Sequence, residues 1–121
     1  MRIFKNTRFA RFADKEGITD GELKEAVNQL EAGLADADLG GRVYKVRIAR
    51  PGEGKAGSYR VIVFFKSEER TFFAYGFAKS AMSNIGQRDL RIFKERSKDA
   101  LAMTDAQINE RLRNGTLIEV F

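Results

Sequence analysis

Lys45, Arg47, Arg50, Arg60 and Lys79 are the side chains most suited to chemistry, because they crowd into the one basic block of the chain. Residues 42–79 hold nine Lys or Arg against three carboxylates, and residues 18–41 hold one Lys against six carboxylates. The whole chain carries a formal +5, so the central block alone accounts for more than the net excess. Clustered positive charge attracts polyanions through counterion release and steering. Lys45 and Arg47 share a strand face by the period of two. Arg60 opens a neighbouring strand, with Arg50 expected opposite it across a Gly-rich connection. Lys79 leaves a third strand at the same end. The reaction that suits such a pocket is one in which negative charge develops on phosphate, since guanidinium forks match phosphate bidentately. A Lys among other cations is pushed toward its neutral form and can act as a base.

What is missing narrows the chemistry further. The 121 residues include no His and no Cys. His-based triads, HExxH zinc chemistry, thiolate metal sites and disulfides are therefore excluded, and any catalysis falls to Lys, Arg, Tyr or carboxylates. No cofactor or metal is expected. The opening MRIFKNTRFARFADKEG has no apolar core of signal-peptide length, and no apolar run is long enough to span a bilayer. A cytoplasmic setting without a membrane partner is the expectation. Apolar residues at 43% and charged residues at 32% describe an ordinary globular mixture. One domain over 1–121 is expected, with a core of about 1–80 and a C-terminal helical extension of about 86–121.

The elements that must position these cations follow from periodicity and punctuation. Arg2–Lys5 reads as a strand opening into a helix capped by Asn6 or Thr7, with Phe9 and Phe12 on one face and Gly17 as its stop. Thr19-Asp-Gly-Glu22 has capping-box form. After it Leu23, Ala26, Val27, Leu30, Leu34 and Ala37 recur at helical spacing as far as Gly40-Gly41. Tyr44, Val46 and Ile48 alternate with Lys45, Arg47 and Ala49, as in a strand with one buried face. A loop from Pro51 to Ser58, containing Lys55, turns the chain back. Tyr59–Phe65 and Thr71–Ala78 are near-continuous β-branched and aromatic runs suited to interior strands, joined by the polar turn 66–70. Gly52-Glu-Gly-Lys-Ala-Gly57 matches GxGxxG literally. That fingerprint needs a helix after it and here a strand follows, so the loop is a hairpin connection. After Gly86, Leu90, Phe93, Ser97, Ala100 and Leu101 mark a helix, and Thr104-Asp-Ala-Gln107 caps another that stops at Gly115. The final Leu117–Phe121 is compatible with a terminal strand or a docked tail. The fold expected is α+β: a small antiparallel meander with two N-terminal helices packed on it, the helices largely on one face, and a C-terminal helical extension.

The run Arg47-Ile-Ala-Arg-Pro-Gly-x-Gly-x-x-Gly-x-Tyr59-Arg60-Val, followed by Phe72-Phe-Ala-Tyr-Gly-Phe-Ala-Lys79, resembles the RelE-like toxins of bacterial toxin–antitoxin pairs. The HigB-like branch of the RelE/ParE superfamily is the most similar, through its Gly-x-Tyr-Arg and Tyr-Gly-Phe-x-Lys signatures. The opening RIFKNTRFARFADKEGITD and LEAGLADADLGGRVYK look like the same branch. The resemblance implies a RelE-like fold and a toxin that enters the ribosome and cuts mRNA as a metal-independent endoribonuclease, the substrate's 2′-hydroxyl attacking the adjacent phosphate. It implies catalytic roles for Lys45, Arg47, Arg60 and Lys79, and RNA contacts from Arg50, Lys55 and Tyr75. Many relatives carry a C-terminal His or Tyr as general acid. This chain has neither after Tyr75, which leaves Lys79 or Tyr75 for that step. The partners implied are mRNA, the ribosome and a cognate antitoxin, expected to bind DNA and to be encoded by the adjacent gene. The alternative is a non-catalytic ParE-like inhibitor that uses the same scaffold against a protein such as gyrase.

Overall fold

The computed structural model describes residues 1–50, 54–78 and 86–121, with the side chains of all of these except 50 and 54–57. Strand β1 (Arg2–Asn6) runs straight into helix α1 (Thr7–Glu16). Asn6 makes that junction sharp: its extended backbone ends the strand, and its side-chain oxygen accepts from the Phe9 N–H at 2.7 Å. Gly17, at φ 72°, turns the chain out of α1 through a left-handed cap that a side chain would strain. Thr19 and Glu22 then close the expected capping box on helix α2 (Asp20–Glu31).

Helix α2 stops well before Gly40-Gly41. Gly33 takes φ 76° just after it, and the chain continues as the two-residue strand β2 (Ala37–Asp38). Leu34 and Ala37 keep the helical spacing, yet Leu34 is 67% exposed. The backbone N–H of Asp36 donates to the Lys45 carbonyl at 2.9 Å, which fastens this segment to the sheet.

The sheet has the strand order β2-β3-β4-β5-β1-β6. Its centre is the expected antiparallel meander of β3 (Val43–Arg50), β4 (Gly54–Lys66) and β5 (Arg70–Ala78). Strand β4 begins at Gly54, so residues 54–58 of the segment expected as a loop are strand, and residues 51–53 lie outside the described residues. Strand β1 pairs in parallel with β5, and β6 (Leu117–Val120) pairs antiparallel with β1. The C-terminal run thus joins the sheet. Arg2 fixes that edge with a two-pronged grip on Glu119, Nε and Nη2 each 2.9 Å from a carboxylate oxygen.

Alternate side chains of the strands feed two cores on opposite faces. Val46, Ile48, Val61, Val63 and Phe73 meet α1 and α2. Val43, Ile62, Phe64 and Phe72 meet helices α3 (Gln87–Leu101) and α4 (Asp105–Arg113). The helices therefore cover both faces, and not mainly one. The near-continuous apolar character of β4 and β5 has this cause, since both faces of a covered strand must be apolar. Among the described residues no helix is long and apolar enough to cross a membrane.

Gly76 tests the α1 face. A Cβ there would fall 2.4 Å from the Phe12 ring, which packs edge-on against Tyr59 with centroids 5.5 Å apart. Gly76→Ala should cost about 1–3 kcal/mol by overpacking. Chemical denaturation should show a lower midpoint with an unchanged slope; an unchanged midpoint would mean that Phe12 moves aside freely.

Candidate nucleic-acid interface

The register of the meander lays the basic residues out in rows. Lys45 stands opposite Ile62, which stands opposite Tyr75; Arg47 stands opposite Arg60, which stands opposite Phe77. All belong to the sheet face that also carries Val43, Phe64 and Phe72: on β3 and β4 they share the parity of those core residues, and on β5 the register shift opposite Ile62 and Val63 brings the odd-numbered Tyr75 and Phe77 to the face of Phe72 and Ala74. The cations of β3 and β4 are thus direct neighbours, and the aromatics of β5 flank them.

Asp36 ties the cations together. Its carboxylate lies 2.9 Å from Arg47 Nε, 3.7 Å from Arg60 Nε and 3.8 Å from Lys45 Nζ. The Asp36 side chain is 17% exposed. It sits there because α2 ends early and β2 pairs with β3, matching Ala37 with Lys45 and Asp38 with Tyr44. The apolar spacing that carries a helix as far as Gly40-Gly41 would keep Asp36 on that helix and leave the cations without a carboxylate. The early end of α2 at Glu31 instead releases Asp36 to the sheet edge and puts it among them.

Arg60 is also more enclosed than a residue at a pocket mouth. It is 8% exposed and donates through Nη1 to the Ser58 hydroxyl, itself buried. Arg47 is the open member, its side chain 43% exposed, and Lys45 lies between them. The partner opposite Arg60 is Arg47, whereas Arg50 pairs with Gly54 beyond a register shift. Lys79 lies outside the described residues, as do the side chains of Arg50 and Lys55.

Tyr75 extends this face toward α1 and α3. Its ring lies 6.0 Å from Phe77 and 6.1 Å from Phe93, and the Arg8 guanidinium carbon sits 5.8 Å from its centroid. Arg8 and Arg96 line the same cleft, and sequence reasoning singled out neither. A signal for Arg8 was present: it stands in the first turn of a helix that opens directly off a sheet strand. Three cations and an aromatic wing on one face suit an anion attached to planar rings.

The chain matches the family model described as the RelE toxin of the RelE / RelB toxin-antitoxin system, over residues 1–120. That span includes the basic strands, the Asp36 segment and the C-terminal strand that closes the sheet. Membership implies a toxin with a cognate antitoxin as its partner. The chain belongs to the RelE toxin family.

Proposed function

We propose that this toxin is a metal-independent endoribonuclease that cuts mRNA, on the ribosome, by attack of the substrate's own 2′-hydroxyl. The observation that supports this most is the convergence of Lys45, Arg47 and Arg60 on one carboxylate. A carboxylate held by several donors marks a place where an acceptor-only anion is stabilised, and an RNA phosphate presents the same chemistry. In this reading the phosphate takes the place Asp36 now holds, with Arg60 and Arg47 on its non-bridging oxygens.

The 2′-oxygen then forms a bond to phosphorus while the bond from phosphorus to the 5′-oxygen breaks. Lys45, reacting in its uncharged amine form, takes the 2′-hydroxyl proton and becomes the ammonium, and Lys79 or Tyr75 gives one to the leaving 5′-oxygen. With neither His nor Cys in the chain, charge stabilisation by guanidinium groups carries most of the rate enhancement. The HigB-like signatures support ribosome-dependent cleavage over a ParE-like action on gyrase. The antitoxin of this reading is a DNA-binding protein from the adjacent gene that covers Lys45 and Arg47, associating fast and with strong salt dependence.

Cleavage of a translated mRNA in a purified translation system is the expected result. Intact mRNA together with inhibited gyrase would favour the non-catalytic alternative.

Asp36 gives a sharper test of the site. Asp36→Asn keeps the shape and removes one negative charge from among the cations. RNA should bind more tightly, and the slope of log affinity against log salt should steepen by about 0.7 if one further cation engages phosphate. The turnover rate should nevertheless fall by about tenfold to 100-fold, because the guanidiniums lose the group that holds them in register. Unchanged turnover would show that Asp36 does not organise the site.

A further inference from the structure

The cleft that Tyr75 shares with helices α1 and α3 adjoins the cation row through Phe77, and of its lining only the Tyr75 hydroxyl is a candidate for the phosphate chemistry. It encloses about 210 Å³ between β5, the first turn of α1 and the α3 surface. That is below the roughly 300 Å³ at which pockets for drug-sized ligands begin. One wall is aromatic, with Tyr75, Phe77 and Phe93 meeting at tilted angles of 41° and 46°. Arg8 and Arg96 stand at its rim, both exposed, and Asp89 adds one carboxylate from the first turn of α3.

Phe77 connects this cleft to the cations, because it is the direct cross-strand neighbour of Arg60. Cross-strand neighbours hold their Cβ atoms about 4.5–5.5 Å apart. A chain whose phosphate lay at Arg60 would therefore bring an adjoining ring within reach of Phe77 and Tyr75. Arg8 already rests over the Tyr75 ring at 5.8 Å, and guanidinium planes stack on bases as readily as on tyrosine.

We propose that the cleft formed by Tyr75, Phe77, Phe93, Arg8 and Arg96 is a stacking subsite for one unpaired nucleobase next to the phosphate held by Arg47 and Arg60. The base lies on the Tyr75 ring, Arg8 lifts to cover its outer face, and Arg96 neutralises the following phosphate. Asp89 accepts from an exocyclic amine, so cytosine is preferred over uracil, which has none. This rests on the RNA-cleaving reading and adds to it a site for the base.

The test uses a fluorescein-labelled hexamer of 2′-O-methyl cytidine, which cannot cleave itself, beside the same hexamer without bases. The full-length protein should bind the cytidine hexamer about 5- to 150-fold more tightly, the range expected for one stacked base. Tyr75→Leu should close most of that gap, Tyr75→Phe should preserve it, and Arg8→Gln should narrow it. Arg60→Ala should weaken both hexamers alike. Should Tyr75→Leu fail to fold, Arg8→Gln and Arg96→Gln carry the test, both residues being exposed. Binding that depends on Arg60 but is indifferent to the bases would overturn the subsite and leave the nuclease reading standing. No binding of either hexamer would overturn both. A gap that survives Tyr75→Leu, while antitoxin binding is lost, would make the cleft a protein-docking surface and overturn the inference.

Discussion

Arg60→Ala should lower the turnover rate of mRNA cleavage by about 10²- to 10³-fold, as loss of one oxyanion donor does in other enzymes. Arg60 sits in the middle row of the sheet face, held by Ser58 on one side and Asp36 on the other, so its guanidinium is fixed before substrate arrives. Preorganised donors stabilise developing charge without reorganising, which is why their removal acts on the rate more than on binding. The same enclosure means that the substitution will also be felt by the fold. An arginine at a pocket mouth would leave stability untouched, but Arg60 is 8% exposed and its removal strips donors from Ser58 and Asp36. A loss of about 1–3 kcal/mol follows from leaving such groups short of partners, seen as a melting point lower by roughly 5–15 °C. Asp36 keeps Arg47 and Lys45, which limits the damage. The rate should therefore be measured well below the melting point. Full activity in folded Arg60→Ala protein would remove Arg60 from the mechanism.

A single 2′-deoxy substitution at the cut position should abolish cleavage outright, the largest effect expected here. The described site offers no side chain suited to being the nucleophile. Its guanidinium groups can only bind an oxyanion, its lysine serves in proton transfer, and the Asp36 carboxylate is held by all three. The attacking oxygen must then come from the substrate or from water, and the neighbouring 2′-hydroxyl is held close to the phosphorus by the ribose itself. Binding of the deoxy strand should stay within a few-fold of the ribose strand, since the phosphate contacts remain. Cleavage of the deoxy strand at a comparable rate would replace the 2′-hydroxyl with water as nucleophile.

Much of this architecture can be read from local pattern. Asn6, Gly17, the Thr19–Glu22 box and the Thr104–Gln107 box place helix ends by hydrogen bonds between neighbours in sequence, which pattern records directly. The meander is legible for a similar reason: its three strands are consecutive and their turns short. Pattern fails where a backbone angle or a distant partner decides. Gly33 at φ 76° ends α2 although Leu34 and Ala37 continue the apolar spacing. A periodicity argument has no access to that angle, and with it went the position of Asp36 among the cations. The parallel pairing of β1 with β5 and the closure by β6 join residues from opposite ends of the chain. Those contacts put α3 and α4 on the second face and Phe93 and Arg96 beside Tyr75. The basic character of the site was thus visible in Lys45, Arg47 and Arg60, whereas its counter-ion and its aromatic cleft depended on long-range pairing.

The most direct test of the central claim is the chemistry of the cut ends. RNA fragments from the purified translation reaction should be isolated and their termini identified by mass. The account predicts a 2′,3′-cyclic phosphate upstream and a free 5′-hydroxyl downstream, and the same ends, with or without a chelator, from a ribosome-free substrate cut slowly at high enzyme concentration. Fragments that begin with a 5′-phosphate, or cleavage that stops when divalent ions are withdrawn from that substrate, would contradict it.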